Sequence, residues 1–287
     1  DRNVNVGYTA LSASITPPQW LTADKAIELS IRTTTLDGEP QAASGTLQVY
    51  EVVQPDKVTR ASLSGRYYGP PTAERTPDPS NPDSWPVGEM LEELDFETAA
   101  DGTTKVAIEL NAGIYRVKLK TKDRFGAPVT AEAQLQVLAP KAAKLAIKIP
   151  NLYAAPTKTV EPGNEYLAIW GSGYASAKAY IEVMHQGKLL QKYWTKPNVT
   201  QNVIKQQVDE AMRGGFNIRT TMVRENRSYV HNQYVSVPWT NKQLSVKWEH
   251  MVSKLEPGAK EKWTAIITGA DAEKRVAEMV ATMYDAS

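Results

Sequence analysis

The chain has 287 residues, 41% of them apolar, enough for two or three ordinary domains, each with its own core. Its 33 Lys and Arg against 32 Asp and Glu leave a net charge of +1, which excludes the strong field that steers nucleic acid or an anionic membrane. The absence of cysteine excludes disulfides, thiol catalysis and thiolate metal sites. No apolar run is long enough to span a bilayer as a helix, and no signal-peptide pattern opens the chain. The sequence stops in mid-pattern at Asp285-Ala286-Ser287, so it reads as a piece trimmed at both ends.

Taken in order, the first 140 residues alternate with a period of two. Val106, Ile108 and Leu110 alternate with Ala107 and Glu109, and Tyr115, Val117 and Leu119 with Arg116, Lys118 and Lys120. Ala131, Ala133, Leu135 and Val137 do the same between polar neighbours. Each stretch reads as a strand with one face in a core and one in water. Turn chemistry separates them at Asp37-Gly38, Asp101-Gly102, Asn111-Ala112-Gly113 and Arg124-Phe125-Gly126. Strands are predicted to start near Tyr8, Ala26, Gly45, Met90, Thr104, Ile114 and Pro128. Between the third and fourth, residues 66–88 carry Pro70, Pro71, Pro77, Pro79, Pro82 and Pro86. Repeated proline removes ladder donors, so this segment is expected to be an exposed insertion.

Residues 141–238 continue the pattern. Strands are predicted at 144–149, 165–170, 179–184 and 189–194, the last two joined by a turn at Gln186-Gly187. Residues 203–212 fit either a helix, with Ile204, Val208, Ala211 and Met212 as its stripe and Gly214 as its stop, or a short strand and turn. A closing hairpin is predicted from 219–223 and 229–237, with Asn226 at its turn. From 239 onward, 244–248 and 262–268 are strand-like, while Val276, Val280 and Met283 also suit a helix.

Two signals recur at a spacing of about a hundred residues. Glu161-Pro162-Gly163 and Glu256-Pro257-Gly258 each precede a short apolar run ending in glycine. Gly113-Ile114-Tyr115-Arg116-Val117 and Gly215-Phe216-Asn217-Ile218-Arg219 each lead through a strand to a proline, Pro140 and Pro238. Repetition at domain length predicts tandem modules of one architecture. The fold class expected is all-β: tandem antiparallel β-sandwiches, at 1–140 (with insertion 66–88), 141–238, and a truncated third at 239–287. The linkers are short and lack Gly/Ser tracts, so the modules are expected to sit at set angles, with Trp239 buried at a junction.

Chemistry-bearing residues are sparse. His185, His231 and His250 stand far apart with no i,i+4 pair, against a zinc site. Gly171-Ser172-Gly173-Tyr174 is no Gly-x-Ser-x-Gly elbow. Glu89, Glu92, Glu93, Asp95 and Glu97 lack the spacing of a calcium loop and read as a solvated strand face. No phosphate-binding glycine loop occurs. Catalytic, cofactor-binding and metal-binding residues are therefore all expected to be none. Tyr166, Trp170, Tyr174, Tyr180, Tyr193 and Trp194 concentrate in the second module; they fill a core or seam, or, exposed, would stack on sugar rings. Asn198-Val199-Thr200 and Asn226-Arg227-Ser228 match glycan-acceptor sequons.

Asn226-Arg227-Ser228-Tyr229, the run Val235-Ser236-Val237-Pro238-Trp239-Thr240-Asn241-Lys242-Gln243-Leu244, and Leu255-Glu256-Pro257-Gly258 with Glu261-Lys262-Trp263 form one pattern. With Ala277-Glu278-Met279 and Met283-Tyr284-Asp285-Ala286-Ser287 it resembles the junction and opening of macroglobulin (MG) domains in bacterial alpha-2-macroglobulin-like proteins. The resemblance centres on 223–287, thins over 141–222 and is weakest in the first module. It implies seven-stranded sandwiches, and a strand rather than a helix at 276–284. It further implies a non-enzymatic scaffold segment of a broad-spectrum protease inhibitor, whose partners are proteases, through the full-length protein, and neighbouring MG domains. A thioester of that family needs a cysteine, which this segment lacks. The periplasm or cell envelope of a Gram-negative bacterium is the implied location, with no nucleic acid bound and no membrane insertion by this segment. A carbohydrate-binding or adhesion array is the alternative.

Overall fold

The computed structural model describes residues 9–61, 78–250, 256 and 258–269. Strands β1 (Ser12–Thr16), β2 (Ile27–Thr34), β3 (Ser44–Val52), β4 (Val87–Glu97), β5 (Thr103–Ile108), β6 (Gly113–Lys122) and β7 (Pro128–Val137) make the first sandwich. One sheet has the order β1-β2-β5 and the other β4-β3-β6-β7, all antiparallel. The predicted alternation is what builds it. Leu29, Ile31, Leu47, Val49, Val117, Leu119, Leu135 and Val137 point between the sheets and are sealed from solvent.

Strands β8 (Leu152–Ala154), β9 (Glu165–Gly171), β10 (Ala179–His185), β11 (Lys188–Trp194), β12 (Gln201–Gln207), β13 (Phe216–Arg224) and β14 (Arg227–Val235) make the second. Its sheets are ordered β8-β9-β12 and β11-β10-β13-β14. Strand for strand this is the connectivity of the first sandwich, so the all-β tandem architecture holds. The recurrent sequence signals fall on equivalent strands: β6 and β13 follow the two glycines, and Glu161-Pro162-Gly163 turns into β9. A third pair, β15 (Ser245–His250) with β16 (Thr264–Thr268), is antiparallel. It repeats the relation of β1 to β2 and of β8 to β9, and its Trp248 and Trp263 meet edge to face at 6.4 Å.

Several expectations need correction. Residues 144–149 are not a ladder strand; the first strand of the second sandwich is β8, further on. Leu145, Ile147 and Ile149 are buried and their neighbours less so, so the period-two pattern is real but serves the joint described below. Residues 203–212 resolve as strand β12 followed by a 3-10 turn, Glu210–Met212, capped by the Asp209 side chain. The insertion 66–88 does not run exposed to its end: Trp85 is buried, and Val87 and Gly88 already belong to β4. The start predicted near Tyr8, residues 66–77 and 276–284 lie outside the described residues, and β1 begins at Ser12.

A latch recurs that the sequence does not advertise. In the first sandwich Thr22 bridges Leu138 in parallel, with Leu138 N–H donating to Leu21 O and Ala23 N–H to Leu138 O, both at 2.9 Å. In the second, Thr159 bridges Ser236 in the same sense. Each latch ties the exit of a sandwich's last strand to the chain just before its second strand, and so sets where the chain leaves for the next module.

Candidate functional site at the module joints

The side chains that sequence reasoning weighed for chemistry do not converge; the groups that do converge lie where modules meet. Between the first two sandwiches a separate apolar cluster forms from Val52, Trp85, Ile114 and Leu138 on one side and Leu145, Ile147, Ile149, Leu152 and Ile169 on the other. The sheets make it possible by burying both of their faces here. Ile114 points away from the core that its neighbour Tyr115 enters. On the second sandwich, Ala154, Ile169 and Val203 are paired across β8, β9 and β12, an apolar row on the sheet's outer face. Burial on both sides is why β9 stays apolar through Ala168-Ile169-Trp170, whereas Leu167 before them is exposed.

Backbone also approaches closely here. Gly173 N–H donates to Ile149 O at 2.8 Å, and a Cβ on Gly173 would stand 2.4 Å from Ile147 O and 2.6 Å from Lys148 Cα. Only glycine fits against a backbone that cannot retreat. The Gly171-Ser172-Gly173 triplet is thus a packing device, and Ser172 confirms it: its Oγ is buried and donates to Pro150 O at 2.7 Å.

Residues 53–61 leave β3 and lie along the second sandwich as a strap. Gln54 donates to Ala146 O and accepts the Lys148 N–H at 2.7 Å. Lys148 Nζ donates to Asp56 O at 3.2 Å, and Val58 packs against the second core. Beyond it, Arg60 donates to Glu225 O and Arg227 to Ala61 O. The chain entering the insertion is therefore fastened to the neighbouring module.

The second joint is polar and turns on Arg213, whose side chain is 6% exposed. Its Nε and Nη2 form a fork on both Glu210 oxygens at 2.8 and 2.9 Å. Its Nη1 reaches Glu161 Oε2 at 3.4 Å, Thr240 Oγ1 at 3.1 Å and the Pro238 carbonyl. Thr240 Oγ1 in turn donates to Glu161 at 3.0 Å. A guanidinium alone offers enough fixed donors to hold this many acceptors at once. The Glu210 carboxyl is held below its usual range by the Arg213 hydrogen bond, and the arginine is raised by the same contact. So the glutamate of the Glu-Pro-Gly corner, the arginine before β13 and the threonine after Pro238-Trp239 are parts of one clamp. Trp239 is not buried at this junction, as its sequence position suggested; it is 46% exposed, with Lys242 Nζ over its ring at 3.9 Å.

Replacing Arg213 with alanine is expected to loosen this joint without unfolding either sandwich. The Gly214 amide, which donates to Val237 O, should exchange its hydrogen roughly tenfold faster or more, and Arg213→Lys should recover only part of that protection. Unchanged exchange in the alanine variant would show that the clamp holds nothing.

The remaining candidates scatter. His185 Nδ1 donates to Gly215 O at 2.7 Å, and His250 Nε2 meets Glu261 at 2.9 Å. Among the described residues no three metal-ligating side chains come together. Glu89, Glu92, Glu93, Asp95 and Glu97 are all exposed on β4. Tyr166, Trp170 and Tyr174 are core, whereas Tyr180 and Trp194 point outward together, with ring centroids 5.0 Å apart. In the first sequon Thr200 is buried and its hydroxyl accepts the Leu145 N–H; the second forms the β13–β14 turn, with positive φ at Glu225 and Asn226. A surface depression lined by Asp24, Lys25, Glu109 and Asn111 offers no nucleophile paired with a base, and the Thr22 hydroxyl lowers the Asp24 pKa.

His231 stands apart. It stacks on Tyr153 with centroids 4.3 Å apart, and its Nε2 is buried with no partner, as is Thr220 Oγ1 directly across the ladder. Burial, with the nearby Lys158 charge, lowers its pKa below the ordinary histidine value. The unfolded chain then binds the proton more readily than the folded one. Stability contributed here is complete above about pH 6.5 and falls as pH drops through and below that value. Thermal unfolding between pH 8 and 5 should show this slope, and His231→Phe, which keeps the stack, should flatten it; an identical slope in both proteins would assign the titration elsewhere.

No family model and no curated protein matches the chain. Among solved structures it is similar to the native conformation of Escherichia coli alpha-2-macroglobulin, at 15% identity and a TM-score of 0.31, over 88% of this chain and 15% of that one. It is similar to Salmonella alpha-2-macroglobulin reacted with methylamine, at 11% identity and a TM-score of 0.31, over 95% of this chain and 21% of that one. It is similar also to red sea bream transglutaminase, at 12% identity and a TM-score of 0.29, over 82% and 32%. The chain thus spans under a third of the length of each. At these values the likeness adds nothing beyond the sandwich fold. No helix of the described residues is long and apolar enough to cross a membrane.

Proposed function

We propose that this chain is a non-catalytic scaffold segment of a bacterial alpha-2-macroglobulin-like, broad-spectrum protease inhibitor, made of macroglobulin-like units at 1–140, 141–238 and 239–287. The observation that carries the reading is the apolar seam around Ile147, continued by the Arg213 clamp. A trap that closes on its target needs modules that hold their mutual positions, and these joints resist independent tumbling. The motif pattern at 223–287 supports the same reading. Proteases are its partners through the full-length protein, neighbouring MG units are its partners in the chain, and the periplasm or cell envelope of a Gram-negative bacterium is its location. It acts without metal or cofactor. The test is a longer protein that contains this chain, incubated with trypsin. Retained trypsin should still cleave a small chromogenic peptide while being shielded from a protein substrate. Release of free, fully active trypsin would overturn the reading.

One observation favours a second reading, a carbohydrate-binding or adhesion array: Tyr180 and Trp194 lie side by side on an outer sheet face, the arrangement on which sugar rings stack. Calorimetry against soluble polysaccharides tests it, and the absence of heat across chemically distinct polymers would remove it.

A further inference from the structure

We propose that copies of this chain associate head to tail, edge strand β4 of one copy pairing with edge strand β11 of the next. Both strands stand at the same position in their sandwiches, outermost in the four-stranded sheet, and among the described residues each is bonded on one side alone: β4 to β3 and β11 to β10. A free edge presents a row of unpaired N–H and C=O groups that template another strand. Bulges interrupt β4 only at its start, so 92–97 runs in regular register; on β11 the regular stretch is 191–194.

The charges on the two edges are opposite. Strand β4 carries Glu89, Glu92, Glu93, Asp95 and Glu97, with no cation in the strand, and none of these carboxylates closes an ion pair. Strand β11 carries Lys188 and Lys192, with Lys196 just beyond it and Lys178 Nζ 4.7 Å above the Trp194 ring. Glu182 lies opposite Lys192 in the ladder without closing an ion pair. Charged edges normally serve to prevent association. One sign per edge prevents β4 meeting β4 and β11 meeting β11, yet attracts β4 to β11.

Apolar surface accompanies the charge on both strands. Met90 and Leu91 are 51% and 49% exposed, and Leu189, Leu190 and Trp194 are 45%, 46% and 56% exposed. The other outer strands of the same sheets carry no row of one charge, although β14 also exposes Val230 and Tyr234. On β7, Glu132 is already paired with Lys118 at 3.3 Å, and on β14, Arg227 is engaged by the strap. Two different patches in contact make a heterologous interface, which adds copies in series rather than closing at a dimer.

Sedimentation velocity of the whole chain is the test, run from about 1 to about 500 µM protein. At about 50 mM NaCl the mean mass should climb steadily with concentration, and at about 500 mM the association should weaken at least about tenfold. Glu92→Lys/Glu93→Lys/Asp95→Lys should remain monomeric, as should Lys188→Glu/Lys192→Glu, each with the circular dichroism of the parent. Mixing the two should restore association, because each then offers the other complementary edges. A parent that is monomeric at every concentration, a closed dimer, association untouched by salt or by the reversals, or a mixture that stays monomeric would each overturn the proposal.

Discussion

Replacing Ile147 with alanine is expected to lower stability by about 2–5 kcal/mol and to split one calorimetric transition into two. Ile147 is sealed from solvent, and the cluster around it draws on both sandwiches: Val52, Trp85 and Ile114 from the first, Leu152 and Ile169 from the second. Truncation leaves a cavity whose walls belong to two bodies, and close-packed walls relax only in part. The lost free energy is therefore coupling free energy, which lets one sandwich unfold while the other stays native. A control separates coupling from simple weakening. Leu29→Ala removes a side chain buried wholly within the first core; it should lower the first sandwich's transition and move the second only through the shared seam. Differential scanning calorimetry reads both. A single, merely shifted transition in Ile147→Ala would show that the seam does not hold the sandwiches together.

Ile147 also shows how far the sequence could be read. The alternation of Leu145, Ile147 and Ile149 identifies an extended segment with one buried side, and that much is correct. Periodicity reports burial and carries no record of what does the burying, so a segment packed in a joint looks like a strand in a sheet. The two sandwiches themselves were legible because antiparallel strands with one wet face alternate cleanly, and because turn residues such as Gln186-Gly187 mark the hairpins with positive φ. Residues 203–212 stayed ambiguous for a related reason: Ile204, Val208 and Met212 all enter the core, but from a strand, its exit and a 3-10 turn, whose combined spacing imitates a helix. The joints were the least legible part. Glu161 is visible as a corner residue, while Arg213 and Thr240 have no local signature, since their partners are distant in sequence and only the fold brings them together.

Two tryptophans of the second sandwich should respond to the same substitution with losses of very different size. Trp170 on β9 is wholly buried, and its Nε1 donates to Asn151 Oδ1 at 2.9 Å. Trp170→Ala opens the largest cavity a single truncation can make in this core and leaves Asn151 without its donor, so a loss of about 3–5 kcal/mol is expected. Against ordinary domain stabilities of about 5–15 kcal/mol, a loss of that size takes up a large share of what holds the second sandwich folded. Trp194 on β11 is more than half exposed. Its removal forfeits the tilted contact with Tyr180 and the Lys178 charge above its ring, together about 1–2.5 kcal/mol at an exposed site. Chemical denaturation of both variants therefore separates a core residue from a surface one. It also bears on the sugar-stacking alternative, which requires Trp194→Ala to lose binding while remaining folded. Near-equal losses in the two variants would mean that Trp194 is built into the packing and that the outer face is no free platform.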